Sequence, residues 1–136
     1  MRKVLFLCTG NSCRSQMAEG FARAAAAPGV EIYSAGVEAH GLNPRAVAVM
    51  AELGVDIRQQ TSKTLAEIPA EEIDTVITLC GDAAERCPVF PGVVTREHWP
   101  LDDPARAEGS EQAILEAFRS GRDEIEKRVR GLLEAG

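Results

Sequence analysis

Long apolar runs are missing from the start of this 136-residue chain: only Val4-Leu5-Phe6-Leu7 separates Met1-Arg2-Lys3 from Cys8. Such a run is too short for the core of a secretory signal or for a bilayer span, so a cytosolic protein without membrane contact is expected. Excess positive charge is missing too. The 15 Lys and Arg against 21 Asp and Glu give a net charge of -6, which argues against a nucleic-acid surface but leaves room for a local positive pocket. The four cysteines contain no Cys-x-x-Cys pair; they stand at Cys8 and Cys13, then at Cys80 and Cys87. That spacing disfavours a common zinc site, and in a reducing compartment it favours redox chemistry over structural disulfides. Repeats, low-complexity tracts and an interdomain linker are all absent. The 45% hydrophobic and 26% charged content is ordinary for a single globular domain, here residues 1–136, and a monomer is expected.

What is present is organised around Cys8-Thr9-Gly10-Asn11-Ser12-Cys13-Arg14-Ser15, directly after the first apolar run. A strand that breaks into small, turn-prone residues and restarts as a helix makes a concave loop. Its N–H groups converge and a helix dipole adds to them, which suits a tetrahedral oxyanion. No Gly-Lys-Ser/Thr follows Gly10, so this is not a nucleotide-binding phosphate loop. Cys8 opens the loop where those dipoles favour a thiolate. Arg14 closes it with a guanidinium fork able to hold two oxygens of one anion. Ser15 can donate a hydrogen bond back to the sulfur. Thr9, Gly10, Asn11, Ser12, Cys13 and Arg14 are therefore the candidate substrate-binding residues.

The remaining pattern alternates strand and helix. Lys3–Leu7 predicts a central strand covered on both faces, and Ser15–Ala26 a helix with Met17, Phe21 and Ala25 inward and Glu19–Arg23 as an exposed pair. Val30–Ala35 alternates as a second strand. Asn43-Pro44 starts a helix with a Val47, Met50, Leu53 stripe, stopped by Gly54. A short helix near Leu65–Ile68, strands at Asp74–Cys80 and Val93–Trp99, and a loop around Asp102-Asp103-Pro104 follow. The final helix, Ser110–Leu133, carries Ile114, Phe118, Ile125, Val129 and Leu132 inward and a possible bend at Gly121. Such alternation predicts a three-layer α/β domain with right-handed crossovers. Ligands bind at the carboxyl ends of its strands. Cys8, Ser34, Cys80 and the Asp102-Asp103 loop all follow strands, so they should gather at that edge.

These residues resemble the thioredoxin-coupled arsenate reductases built on the low-molecular-weight protein tyrosine phosphatase fold. The resemblance spans essentially the whole chain and rests on residues 8–20 (CTGNSCRSQMAEG), 33–36 (YSAG), 40–44 (HGLNP), 78–80 (TLC), 87–88 (CP) and 97–105 (EHWPLDDPA). It implies a four-stranded parallel sheet in the order 2-1-3-4, flanked by helices. It further implies that Cys8 attacks arsenate held by the loop and Arg14, with Ser15 keeping Cys8 ionised and Asp103 protonating the departing oxygen. Cys80 then attacks Cys8 and releases arsenite, and Cys87 attacks Cys80 to leave a disulfide that thioredoxin reduces. No bound cofactor is implied. Some relatives hold potassium near the loop with residues matching Asn11, Glu19, Ser34 and Thr61, but their acidic ligand falls at Lys63 here, so potassium independence is expected. Cys13 has no step in the relay and reads as a packed thiol; His40 and His98 read as surface or structural residues.

Two rival readings differ in class. A tyrosine phosphatase would use Cys8, Arg14 and Asp103 alone, but such relatives place tyrosine after the Asp-Pro pair, where Ala105 and Arg106 stand here. A non-enzymatic binder gathering the thiols around zinc or arsenite is disfavoured by their irregular spacing. Glutaredoxin or mycothiol could replace thioredoxin, although Cys87 favours an intramolecular disulfide.

Cys80 and Cys87 are seven positions apart. A helical path would hold their Cα atoms about 10.5 Å apart, whereas a disulfide needs roughly 4.4–6.8 Å. Oxidation is therefore predicted to loosen any helix between Gly81 and Pro88, with those two residues as hinges. Amide hydrogen exchange across residues 81–88 should accelerate in the oxidised protein; unchanged exchange would refute this.

Overall fold

The computed structural model describes residues 2–80, 92 and 95–135. Four parallel strands form one sheet: β1 (Arg2–Cys8), β2 (Val30–Gly36), β3 (Thr75–Thr78) and β4 (Thr95–His98), in the order β2-β1-β3-β4. Among the described residues three helices accompany it, α1 (Arg14–Ala25), α2 (Pro44–Ala51) and α3 (Glu111–Ala135). This is the α/β architecture and strand order that the sequence predicts.

The order follows from burial. Val4, Leu5, Phe6 and Leu7 point alternately to opposite faces, yet none exposes any surface, so β1 has to be central. It pairs with β2 from Arg2↔Val30 to Cys8↔Gly36, and with β3 from Val4↔Thr75 to Leu7↔Thr78. That register brings Cys8 level with Gly36 and just past Thr78. Phe6 meets Trp99 with ring centroids 5.9 Å apart, fixing the chain that leaves β4. The apolar side of α1 packs on β1 and β2, and the three helices touch one another.

Local chemistry sets the helix ends. Asn43 caps α2, its Oδ1 accepting from Arg45 N at 2.9 Å and Ala46 N at 3.4 Å, with Pro44 in the first position. Such a cap contributes about 1 kcal/mol. The last helix runs unbroken through Gly121 from Glu111 to Ala135, so the expected bend does not interrupt it. Phe118, Ile125, Val129 and Leu132 are buried and Ile114 is partly so.

Two expectations are corrected. Leu53 is 44% exposed, because the helix ends at Ala51 and its buried stripe is Ala46, Val49 and Met50. The Glu19–Arg23 pair does form, at 2.7 Å, but it is not a surface pair: Glu19 is buried. The expected short helix is present as a single 3-10 turn, Leu65–Glu67, with a reciprocal Thr64–Glu67 cap. The observed third and fourth strands are shorter than predicted. Gly81, Cys87 and Pro88 lie outside the described residues, as do Val93 and Val94.

Helices α2 and α3 are tied by charge. Arg122, buried on α3, donates from Nη1 to Val49 O at 2.9 Å and to Glu52 Oε1 at 2.7 Å. Arg119 adds a bidentate pair to Glu52. Hydrogen bonds from Arg119 and then Arg122 hold the Glu52 carboxyl down at about 2. Its folded pKa is thus below its unfolded one, so its stabilising contribution is present above the ordinary glutamate range and is lost as pH falls toward 2. Glu52→Gln should lower the thermal midpoint at pH 7, and the gap between variant and parent should narrow as melts are repeated down to pH 3.

Candidate active site

The loop after β1 is shaped by where its carbonyls go. Cys8 O accepts from Val37 N, Thr9 O from Glu38 N, Gly10 O from His40 N and Ser12 O from Asn43 N, at 2.9–3.3 Å. All four carbonyls thus face the chain between β2 and α2. In a trans peptide the following N–H points the opposite way, so the amides of Thr9, Gly10, Asn11 and Cys13 face inward. Gly36 makes this close approach possible. A Cβ there would stand 2.2 Å from Glu38 O and 2.7 Å from Asn11 N. Gly10 is likewise covered by the His40 ring.

Asn11 turns the loop. It is the non-glycine residue with a left-handed backbone among those described, at φ 47°. Its side chain offsets that cost by bonding on all sides. Nδ2 donates to Ser15 Oγ at 2.8 Å and to Ser34 Oγ at 3.0 Å, while Oδ1 accepts from Lys63 N at 2.8 Å. Ser15 Oγ in turn lies 2.9 Å from Cys8 Sγ. Because Ser15 accepts from Asn11, its own proton is free to point at the sulfur.

Arg14 begins α1 and is only 7% exposed. Nη1 donates to Leu101 O at 2.9 Å, and Nη2 lies 3.6 Å from Asp103 Oδ2. Its Nε is buried without a hydrogen-bond partner among the described residues. A buried unsatisfied donor is costly, and an oxyanion in the cradle would satisfy it. Asp103 caps the short turn Pro104–Arg106 by accepting from Ala105 N at 3.0 Å. Its Oδ1 is also 3.8 Å from Cys13 Sγ. Burial first, then the Asp103 carboxylate, pushes the Cys13 thiol up to about 12, so it stays protonated at neutral pH.

Cys80 follows β3 and is buried, its Sγ 3.0 Å from Thr9 Oγ1. Cys8, Thr9, Gly10, Ser12, Cys13, Arg14, Cys80, Asp102 and Asp103 therefore line one cavity of about 710 Å³, together with His40, Ala105 and Arg106. Asn11 and Ser15 lie beneath it. Cys87 is outside the described residues. The three described cysteines are free thiols.

Several residues take parts that the sequence reading does not give them. His40 reaches the cavity wall and pairs with Glu38 at 2.8 Å, while His98 bonds Thr78 Oγ1 at 2.8 Å. Gln16 is wholly buried under the loop, and Gln60 bonds it from outside. Glu19 accepts from Ser34 Oγ, and Lys63 Nζ lies 3.7 Å from Glu19 Oε1 while donating to Thr61 O at 2.7 Å. The visible signal was a run of polar residues, Arg14, Ser15, Gln16 and Glu19, on a helix too rich in small apolar residues to be half exposed. Among the described residues no cluster of His, Cys, Asp and Glu suits a metal ion, and no helix is long and apolar enough to cross a membrane.

Comparison with known proteins fits this geometry. Residues 3–135 match the family model described as low molecular weight phosphotyrosine protein phosphatase. An arsenate reductase of Bacillus licheniformis is 53% identical over 135 residues, covering 99% of this chain and 97% of the relative. One from Bacillus subtilis is 53% identical over 133 residues, covering 98% of this chain and 96% of the relative. An arsenate reductase solved in a phosphate-binding state superimposes with a TM-score of 0.86 at 39% identity, covering 99% and 98% of the two chains. An arginine phosphatase from Geobacillus stearothermophilus reaches 0.82 at 27% identity, covering 99% and 92%. An oxyanion cradle with a cysteine at its floor, on a sheet of this order and with these likenesses over nearly its full length, places the chain in the low molecular weight phosphotyrosine protein phosphatase family, beside its arsenate reductases.

Proposed function

We propose that this chain reduces arsenate to arsenite through a relay of Cys8, Cys80 and Cys87, recharged by thioredoxin. One observation carries the reading: a second buried thiol, Cys80, sits at the rim of the cradle, with its sulfur held at 3.0 Å by the residue after Cys8. Phosphate-ester hydrolysis has no use for it. Homologous arsenate reductases have been solved in reduced, oxidised and intermediate states, which supports a redox cycle.

The residues divide the work as follows. Inward amides and the unsatisfied Arg14 Nε bind the arsenate oxygens. The Cys8 thiolate, hydrogen-bonded by Ser15, attacks arsenic. Asp103 gives a proton to the oxygen that departs as water, leaving a Cys8 S–As(V) bond. The Cys80 thiolate then attacks Cys8 Sγ. As the S–S bond forms, the S–As electron pair goes to arsenic, so two thiols are oxidised while As(V) becomes As(III) and arsenite leaves. Cys87 attacks Cys80, which frees Cys8, and a thioredoxin dithiol reduces the Cys80–Cys87 disulfide. Such a cycle requires a reducing compartment, and we place the protein in the cytosol. Asp103 is preferred to Asp102 as the acid because it faces Arg14 and Cys13.

The test couples NADPH oxidation to thioredoxin reductase, thioredoxin and arsenate. The unaltered protein should turn over, while Cys87→Ser should release one arsenite per enzyme and stop. Absence of turnover beside clear hydrolysis of an aryl phosphate would replace this reading with a phosphatase. Lys63 already supplies a cation to Glu19 and Thr61 O. Replacing potassium by tetramethylammonium at constant ionic strength should therefore leave turnover unchanged.

A further inference from the structure

We propose that Gln16 is a positioning residue whose amide polarity keeps the Ser15 hydroxyl directed at Cys8, and through it sustains the nucleophilicity of Cys8, and that an acceptor at position 60 would reverse that polarity. The inference rests on Cys8 being the nucleophile, but not on which oxyanion it attacks.

The argument is one of polarity. A side-chain amide can present either its oxygen or its nitrogen to a neighbour, so each amide in a buried chain needs something to choose for it. Here main-chain groups, whose polarity is fixed, choose for all three. Gln60 Nε2 donates to the carbonyl of Gln16 at 3.0 Å, which turns that same NH₂ onto Gln16 Oε1 at 2.8 Å. With its oxygen so engaged, Gln16 presents Nε2 to the loop. That nitrogen meets Asn11 O at 3.0 Å, Thr61 O at 2.9 Å and Asn11 Oδ1 at 3.0 Å. Lys63 N, a donor only, identifies the same Asn11 atom as oxygen. Asn11 Nδ2 is then left facing Ser15 Oγ and Ser34 Oγ. Both hydroxyls must accept, so both turn their protons away: Ser34 toward the Glu19 carboxylate, Ser15 toward Cys8 Sγ.

Every bond in the sequence Gln60, Gln16, Asn11, Ser15, Cys8 therefore runs one way, and donors end on the sulfur that has to become an anion. Reversing the first amide would set oxygen against oxygen at Asn11. Rotation of the Asn11 amide relieves that clash at the cost of the Lys63 N hydrogen bond, and it makes Ser15 donate to Asn11 and withdraws its proton from Cys8. Gln16 is fully buried, whereas Gln60 is only half-buried, so the outer end of the chain can be altered with little disturbance of the core.

The experiment follows Cys8 alone, in protein whose Cys13, Cys80 and Cys87 are serine, by the pH dependence of its alkylation with iodoacetamide. Gln16→Glu and Gln60→Glu each replace a donor by an acceptor of the same size. Both should move the alkylation midpoint upward and cut the rate at pH 6 roughly tenfold, the effect of one lost hydrogen bond to an anionic sulfur. Gln60→Met removes the donor without adding an acceptor, and the exposed Gln59→Glu adds the charge without touching the chain; both should keep the parental profile. Thermal melts run alongside establish that each variant is folded. A folded Gln16→Glu with the parental midpoint overturns the proposal. If Gln16→Glu does not fold, Gln60→Glu decides: a profile matching Gln60→Met or Gln59→Glu overturns the proposal equally. Loss of arsenate turnover with these profiles as expected would instead count against the proposed function.

Discussion

Everything at this site depends on the outward pull on four loop carbonyls. The chain between β2 and α2 offers amides to Cys8, Thr9, Gly10 and Ser12, and each of those bonds turns a peptide plane so that the next N–H faces the cavity. The oxyanion cradle is thus built from the back. Its donors need no side chains of their own, which is why residues as small as Thr9, Gly10 and Ser12 suffice. Preorganised dipoles of this kind cost no reorientation when charge arrives. The nucleophile and the guanidinium are placed by the same device, since Cys8 ends the strand and Arg14 starts the helix that the loop joins.

Beneath the cradle lies a polar layer that would be expensive if any member lost its partner. Glu19 is buried among Ser34, Arg23 and Lys63. On an open helix surface the Glu19–Arg23 pair would contribute about 0.3–0.5 kcal/mol; here its worth lies in compensating a carboxylate taken out of water. The layer therefore couples folding to the loop's shape. A chain that reaches the native core has already fixed Asn11 in its left-handed conformation, because Lys63 N and the two serine hydroxyls are complete only in that geometry.

The sheet and the collection of reactive residues at one edge were legible because they depend on period and position, whereas the strand order came with the family resemblance. Unbroken burial of Val4–Leu7 demands a central strand, and Cys8, Cys80 and Asp103 all sit just after strands or at their outgoing loops. What was not legible depends on the third dimension. Glu19 and Arg23 four residues apart look like solvent on any helix; Arg23 does stay exposed, and it is Ser34 and Lys63, brought in from β2 and from the chain before β3, that meet the buried Glu19. Leu53 reads as part of a stripe until the helix ends two residues earlier. Gln16 and Gln60 are 44 residues apart, and no local pattern announces that they bond.

Gly36 carries a consequence for how such a protein can change over generations. With main chain against main chain at 2.2–2.8 Å from any added carbon, the contact behind the cradle tolerates no side chain, and the position of the loop is set once for every member sharing that contact. Novel substrates cannot be admitted by moving the loop back. They can enter only by rewriting the rim, where the side chains of Ala105 and Arg106 stand exposed on a turn held by Asp103. Chemical diversification on this scaffold is thereby channelled to a few peripheral positions, with the anion-holding core inherited intact.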